Sequence, residues 1–203
     1  MQDVVTVDRA RRRLDPKVRR DLILDEAARV VREEGVSAIS MERMGREAGI
    51  SKALVYNYFP SRNALLSELL VREYRRFQDE ARAAIKGVHD FEALVRITTR
   101  AYLTHVAERG VLIQRLMNEP AVAVAIRSVD AEGRQLTVSF FATEIAKCYG
   151  LDASTGAMAS DLLMGLTGAA GDYLARTGEE VGRVEDMAVT MIMAALERLA
   201  RSG

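Results

Sequence analysis

Ser40-Met-Glu-Arg-Met-Gly-Arg-Glu-Ala-Gly49-Ile50-Ser51-Lys-Ala-Leu-Val-Tyr-Asn-Tyr-Phe59 is the stretch that decides the reading of this chain. Two short helices meet at Gly49, whose missing Cβ permits the sharp turn between them. Ser40 is placed to cap the first helix and Ser51 the second, each hydroxyl accepting from an orphaned backbone N–H. Ile39, before the first cap, and Met44, inside the helix, are spaced as a hydrophobic staple. Gly45 and Ala48 are small enough for close helix packing. At about 100° per residue, Val55 and Phe59 share one face of the second helix and point inward, with Ile50 at its start. Ala53 and Asn57 project the other way, flanked by Leu54 and Tyr56.

That outward set suits the major groove of DNA. An Asn side chain pairs with an adenine edge, and Ala or Leu touches a thymine methyl group. Lys52 and the hydroxyls of Tyr56 and Tyr58 suit phosphates, as does Arg62 just past Pro60. Ser51 caps a helix whose N–H groups and positive dipole end are free to meet a further phosphate. The same pattern on its own also fits a plain helical hairpin inside a bundle.

Working outward, nearly all of the chain reads as helix. Pro16, Pro60 and Pro120 fall between periodic segments, where they break nothing. Sustained β-branched alternation and hairpin dipeptides are lacking, so the fold class is all-α. Upstream, Ile23, Ala27, Val30 and Val31 place a helix from about Pro16 to Glu34, stopped by Gly35. Downstream, Ser61 caps a long helix through Leu65, Leu66, Leu69, Leu70 and Tyr74 to about Lys86. Beyond Gly87 come segments near 90–108, 111–118, 121–148, 155–177 and 181–201, with joints at Gly110, Pro120, Gly150 and Gly178. The total is about nine helices. The expected domains are a basic arm over 1–16, a helix-turn-helix domain over 17–62, and an effector-binding and dimerisation domain over 63–203.

Composition agrees. With 203 residues, 49% apolar and 29% charged, the chain is of ordinary globular type and long enough to bury a core. Apolar runs fall short of the ~20 residues that cross a bilayer, and the N-terminus lacks a signal-peptide pattern, so a cytoplasmic protein without membrane partners is expected. The single cysteine, Cys148, excludes an internal disulfide framework. Net charge is zero, but residues 1–66 carry 13 Lys and Arg against 10 Asp and Glu, leaving 16 against 19 for the remainder. A mildly basic head on a mildly acidic body suits a nucleic-acid partner. The run Arg9, Arg11, Arg12 and Arg13 has two readings, an arm entering a minor groove or a solvated tail.

The segment 39–66 closely resembles the N-terminal DNA-binding domain of the tetracycline-repressor (TetR) family. The resemblance rests on Ala48-Gly49-Ile50-Ser51-Lys52, Val55-Tyr56-Asn57-Tyr58-Phe59, Pro60-Ser61-Arg62 and Ala64-Leu65-Leu66, and the upstream helix ending Glu33-Glu34-Gly35 fits as well. Explicit similarity spans about 18–70; the rest matches in length and helical layout. Family members often carry Ile-Ala where Met44-Gly45 stands, Gly at Ala53 and Lys at Arg62, departures that bear on base contacts rather than on fold. The resemblance implies DNA contacts from Ser40, Met41, Ser51, Lys52, Ala53, Tyr56, Asn57 and Tyr58, and a phosphate contact from Arg62. It implies a regulator, by family default a repressor, that binds a palindromic operator as a homodimer and is released by a small effector.

In that family the remaining helices form an effector pocket and a dimer surface. Segment 155–177 is rich in small residues (Gly156, Gly165, Gly168, Ala169, Ala170, Gly171), which cost helix stability unless something packs close. A symmetric partner helix is a natural candidate, together with the apolar stripe of the last segment, and both faces also serve as plain core. A twofold dimer would place two recognition helices about 34–36 Å apart. Candidate pocket residues are Tyr74, Phe77, Tyr102, Leu116, Met117, Phe140, Phe141 and Met164, with His105 as a polar anchor, and the expected ligand is hydrophobic or amphipathic. Two histidines and one cysteine, far apart, offer no metal-ligand spacing, and phosphate loops and nucleophile elbows are missing, so no enzyme, cofactor or metal is expected. The competing reading is a small-molecule or lipid-binding helical carrier with a vestigial DNA-binding head.

Overall fold

A computed structural model describes residues 15–201, and the arginine run of the expected basic arm lies outside them. The described chain holds eight α-helices and one 3-10 turn, with no strand among the described residues. It divides into two compact units after Leu65.

The first unit contains α1 (Pro16–Glu34), the 3-10 turn Val36–Ala38, α2 (Met41–Glu47), α3 (Lys52–Tyr58) and the start of α4 (Arg62–Ala84). Local chemistry sets these bounds. Asp15 caps α1 by accepting from Lys17 N at 2.8 Å, Pro16 occupies the first turn where its missing N–H costs nothing, and Gly35 ends the helix at φ +93°. Ser40 accepts from Arg43 N at 3.1 Å, Ser51 from Leu54 N at 3.2 Å and Ser61 from Ala64 N at 3.1 Å. Ile23, Ala27, Val30, Val31, Ile39, Met44, Val55 and Phe59 are all buried. Each large side chain of this set contributes about 1.5–3 kcal/mol by leaving water. The Arg20 guanidinium lies 4.9 Å from the centre of the Phe59 ring.

The second unit contains the rest of α4, α5 (Phe91–Met117), α6 (Pro120–Tyr149), α7 (Ala153–Thr177) and α8 (Val181–Ala200). Asp90 caps α5, and Asp152 caps α7 through Ser154 N and Thr155 N; the Thr155 hydroxyl above all holds the Asp152 carboxyl below its usual range. Gly150 and Gly178 close α6 and α7 in the left-handed conformation. One core brings Phe91, Val95, Ile145, Ala159, Val189, Ile192 and Leu196 together, and a smaller one gathers Leu103, Leu174 and Val184. Between α5 and α8, the fully buried Glu185 accepts from Arg100 Nε at 2.6 Å and Arg96 Nη1 at 3.4 Å.

One expected joint is absent. The segments 90–108 and 111–118 are a single helix, α5, running straight through Gly110. Glycine ends a helix where the backbone turns left-handed, as at Gly35, Gly49, Gly87, Gly150 and Gly178, and Gly110 does not turn. The cost of an interior glycine, about 1 kcal/mol, is outweighed by burial of Leu103, Leu112 and Leu116 on either side.

Candidate nucleic-acid interface and ligand cavity

The α2–α3 turn is built by its glycines. Gly49 sits at φ +65°, and the next N–H, of Ile50, donates to Gly45 O at 2.8 Å. A Cβ on Gly45 would stand 2.8 Å from Ile50 O and 3.1 Å from Lys52 N, so only glycine lets the chain fold back this closely. The turn therefore fixes where α3 starts and how it is rotated.

On α3 that rotation buries Val55, with Phe59 buried just past the helix end, and exposes Lys52, Ala53, Tyr56 and Asn57; Leu54 and Tyr58 are half-buried. Tyr56 is 46% exposed, high for a tyrosine in a small domain. Ser40 and Ser51 are exposed beside their caps. Of the nine residues expected at DNA, six are thus exposed on the head and Tyr58 is half-buried beside them. The other two do not fit as foreseen. Met41 is 5% exposed and its side chain belongs to the core of the head, because α2 is rotated so that Met41 shares its buried face with Met44 and Gly45. Arg62 is half-buried, with Nη2 donating to Val36 O at 2.8 Å and Nε to Ile39 O at 3.1 Å. It ties the start of α4 to the 3-10 turn, a role hidden from a sequence that shows only a basic residue after a proline.

Acidic groups in the head are largely answered from within. Arg29 bridges Glu26, Glu33 and Glu47, and Arg43 bridges Glu34 and Glu47, joining α1 to α2. Hydrogen bonding from Arg43 holds the Glu34 carboxyl below its ordinary range. Glu42, by contrast, is exposed on α2.

The second unit contains a cavity of about 640 Å³ bounded by α4, α5, α6, α7 and α8. Six expected pocket residues line it: Tyr74, Phe77, Tyr102, Phe140, Phe141 and Met164. Close helix approaches shape it. A Cβ on Gly133 would fall 1.7 Å from Gln78 Nε2, and one on Gly171 would fall 2.6 Å from the Tyr102 ring. Three expected residues lie elsewhere. Leu116 is fully buried core and Met117 is 44% exposed, neither of them on the cavity wall. His105 lines a separate cavity of about 290 Å³ together with Glu73, Arg76 and Arg109. Its ring centre is 4.7 Å from that of Phe77, whose side chain borders both cavities. Burial pushes the His105 imidazole below its ordinary range.

A short helix presented by a glycine turn above a buried core, joined to a helical body enclosing a cavity, defines a helix-turn-helix protein with a ligand-sized compartment. Residues 23–69 match the family described as bacterial regulatory proteins, tetR family. The match falls on the part of the chain that the sequence likens to the DNA-binding domain of that family, and it spans α2, α3 and the turn between them. It is 35% identical over 88 residues to the HTH-type transcriptional regulator BetI of Rhizobium meliloti, covering 41% of this chain and 43% of that protein. It is 26% identical over 132 residues to the HTH-type transcriptional regulator UidR of Escherichia coli K12, covering 62% and 63%. The chain thus spans between about two fifths and two thirds of the length of these curated relatives. Among solved structures, a TetR-like transcriptional regulator from Rhodococcus sp. RHA1 superposes with a TM-score of 0.67 at 23% identity, over 91% of this chain and 99% of that one. A tetR-family regulator from Streptomyces coelicolor gives 0.71 at 19% identity, over 93% and 84%. These two likenesses are of fold. No described helix is long and apolar enough to cross a membrane.

Proposed function

We propose that the chain represses transcription by binding a palindromic operator as a homodimer, with α3 in the major groove, and that a small, mostly apolar effector releases it. The observation that carries this reading is the two-sided α3: Val55 is buried while Lys52, Ala53, Tyr56 and Asn57 face outward together. Asn57 and Ala53 read base edges, Tyr56 and Lys52 engage base or backbone, and the hydroxyls of Ser40, Ser51 and Tyr58 meet phosphates.

Pairing is supported by the unpartnered apolar surface of α7 and α8. Met158 and Leu162 are spaced one turn apart on α7 and Met187 and Met191 on α8, with Leu162 68% and Met187 59% exposed. Gly165, one turn beyond Leu162, has nothing within 4 Å of a would-be Cβ, which leaves room for a helix to approach. Release by a ligand is supported by the cavity, whose volume of about 640 Å³ falls in the ordinary range for small-molecule sites. α4 lines that cavity through Tyr74 and Phe77 and begins at Arg62 in the head, so a ligand that favours one α4 position biases the spacing of two paired heads.

Selection from random DNA with the purified protein tests the reading, followed by gel shifts at several salt concentrations. A palindromic site bound with steep salt dependence is expected. The double variant Tyr56→Ala, Asn57→Ala loses at least about tenfold in affinity, given 1–3 kcal/mol per base contact. Unchanged affinity in that variant refutes the interface, and operator binding that no ligand weakens refutes the release mechanism.

A further inference from the structure

We infer that the ligand of the large cavity presents an acceptor oxygen, of a carbonyl or a carboxylate, to α5, where the Thr99 and Tyr102 hydroxyls receive it. This deepens the ligand-binding half of the proposed function and rests on it.

Helix α5 faces the cavity with Phe91, Val95, Thr98, Thr99 and Tyr102, spaced as one stripe. A threonine inside a helix commonly turns its hydroxyl onto the carbonyl one turn back. Thr98 does so, donating to Leu94 O at 2.8 Å. Around the same cavity Thr137 donates to Gly133 O at 3.0 Å and Thr167 to Leu163 O at 3.3 Å. Thr99 departs from this pattern. It is 2% exposed and lies on the cavity wall, and its hydroxyl has no hydrogen-bond partner among the described residues. Tyr102, on the same face and the next turn, likewise has no hydrogen-bond partner among the described residues. Its ring rests against α7, where a Cβ on Gly171 would stand 2.9 Å from the hydroxyl oxygen, and meets the Phe77 ring edge-on at 6.1 Å. Burial first, and then the Asp172 charge, raise the Tyr102 hydroxyl above its usual range, so it keeps its proton.

Other donors on the wall already have a partner. Ser160 donates to Val138 O at 2.9 Å and Tyr74 to Asp130 O at 3.3 Å, and Gln78 hydrogen-bonds the Tyr74 hydroxyl. Arg82 is paired with Asp79 and Arg134 with Asp161, and at 67% and 49% exposed both guanidinium groups also meet water. The α4 and α6 walls therefore offer donors, acceptors and both signs of charge, while the two α5 hydroxyls hold protons with nowhere to go. A ligand that fills the cavity shields them from water. A donor shielded without an acceptor costs affinity, and an oxygen with free lone pairs removes that cost.

The test uses the full chain and displacement of the neutral fluorophore N-phenyl-1-naphthylamine at pH 7 by 4-butylacetophenone, 4-butylbenzoate and 1-butyl-4-ethylbenzene. These share a skeleton and differ in acceptor and charge. The quantity read is the affinity of each oxygenated ligand relative to the hydrocarbon, compared between parent and the double variant Thr99→Val, Tyr102→Phe. For the tighter of the two oxygenated ligands that ratio is expected to fall about fivefold or more in the variant, at least one net hydrogen bond. The hydrocarbon has no acceptor to lose and does not weaken. A tighter ketone identifies the oxygen as a neutral carbonyl and a tighter benzoate as a carboxylate, and the fall in ratio supports the inference in either case. The infrared stretch of the isotope-labelled carbonyl or carboxylate should shift between parent and variant. A ratio unaltered within about twofold while the ligands still displace the fluorophore overturns this inference alone. If neither the fluorophore nor any of the three ligands binds, and the ligands leave the fluorescence of a Leu163→Trp variant unchanged, the ligand-binding half of the proposed function falls with it.

Discussion

Arg62→Ala separates two roles that a basic residue beside a DNA-binding helix can play. The guanidinium makes two hydrogen bonds to backbone carbonyls, Val36 O at 2.8 Å and Ile39 O at 3.1 Å, in half-buried surroundings. Hydrogen bonds to charged groups contribute about 1.5–3 kcal/mol each. Water reaches the site in part, so the low end applies and the pair is worth roughly 2–3 kcal/mol together. Truncation also leaves the carbonyls of Val36 and Ile39, in and just after the 3-10 turn, to be solvated afresh. At about 2–4 °C per kcal/mol for a chain of this size, the melting temperature is expected to fall by roughly 4–12 °C. Amide exchange should accelerate over residues 36–44, the stretch whose carbonyls are released. Operator affinity should fall with the folded fraction of the head, and the slope of log affinity against log salt should stay the same, since no phosphate contact is removed. A variant of parental stability that loses operator affinity together with about one unit of salt slope would show that Arg62 acts on phosphate, and the structural assignment would be wrong.

Gly49→Val places a β-branched residue at φ +65° and is expected to cost about 1–2 kcal/mol and to misalign α3, read as a lowered melting temperature with weakened operator binding. His105 has a folded-state pKa depressed by burial, below the ordinary 6.5. The unfolded chain therefore binds the proton first as pH falls, so stability is full above pH 6.5, declines between 6.5 and the lower folded value, and levels off beneath it. His105→Gln should flatten that slope in melting curves taken across the window. Leu162→Glu with Met187→Glu, both on exposed surface, should leave the far-ultraviolet spectrum intact and turn the proposed dimer into a monomer by light scattering; a dimer of unchanged mass moves the interface elsewhere.

The head was legible in the sequence because its determinants are local. Ser40, Ser51 and Ser61 each cap a helix that begins at the next residue, and Gly45 and Gly49, four residues apart, account for the turn. The inward face of Val55 and Phe59 follows from helical period alone. Met41 was not legible, since a position after a cap gives no sign of which way the helix is rotated against its neighbours. The role of Arg62 as a tie to the backbone was hidden for a similar reason: its partners sit 23 and 26 residues upstream and are carbonyls, which every residue type carries. In the body, an aromatic or aliphatic side chain at helical spacing looks the same whether it faces a cavity or fills a core. Hence Phe141 and Met164 line the cavity while Leu116, of the same character, does not. Signals do exist in Gly133 and Gly171, whose missing side chains mark where Gln78 and Tyr102 pass close to a neighbouring helix.

The chain's single sulfhydryl, Cys148, is exposed near the end of α6. A nitroxide attached there puts one spin on each polypeptide with no engineered cysteine. In the proposed dimer, dipolar coupling then arises only between chains, and its distance distribution becomes a ruler across that assembly, to be read with the selected DNA, with a ligand of the cavity, and with neither.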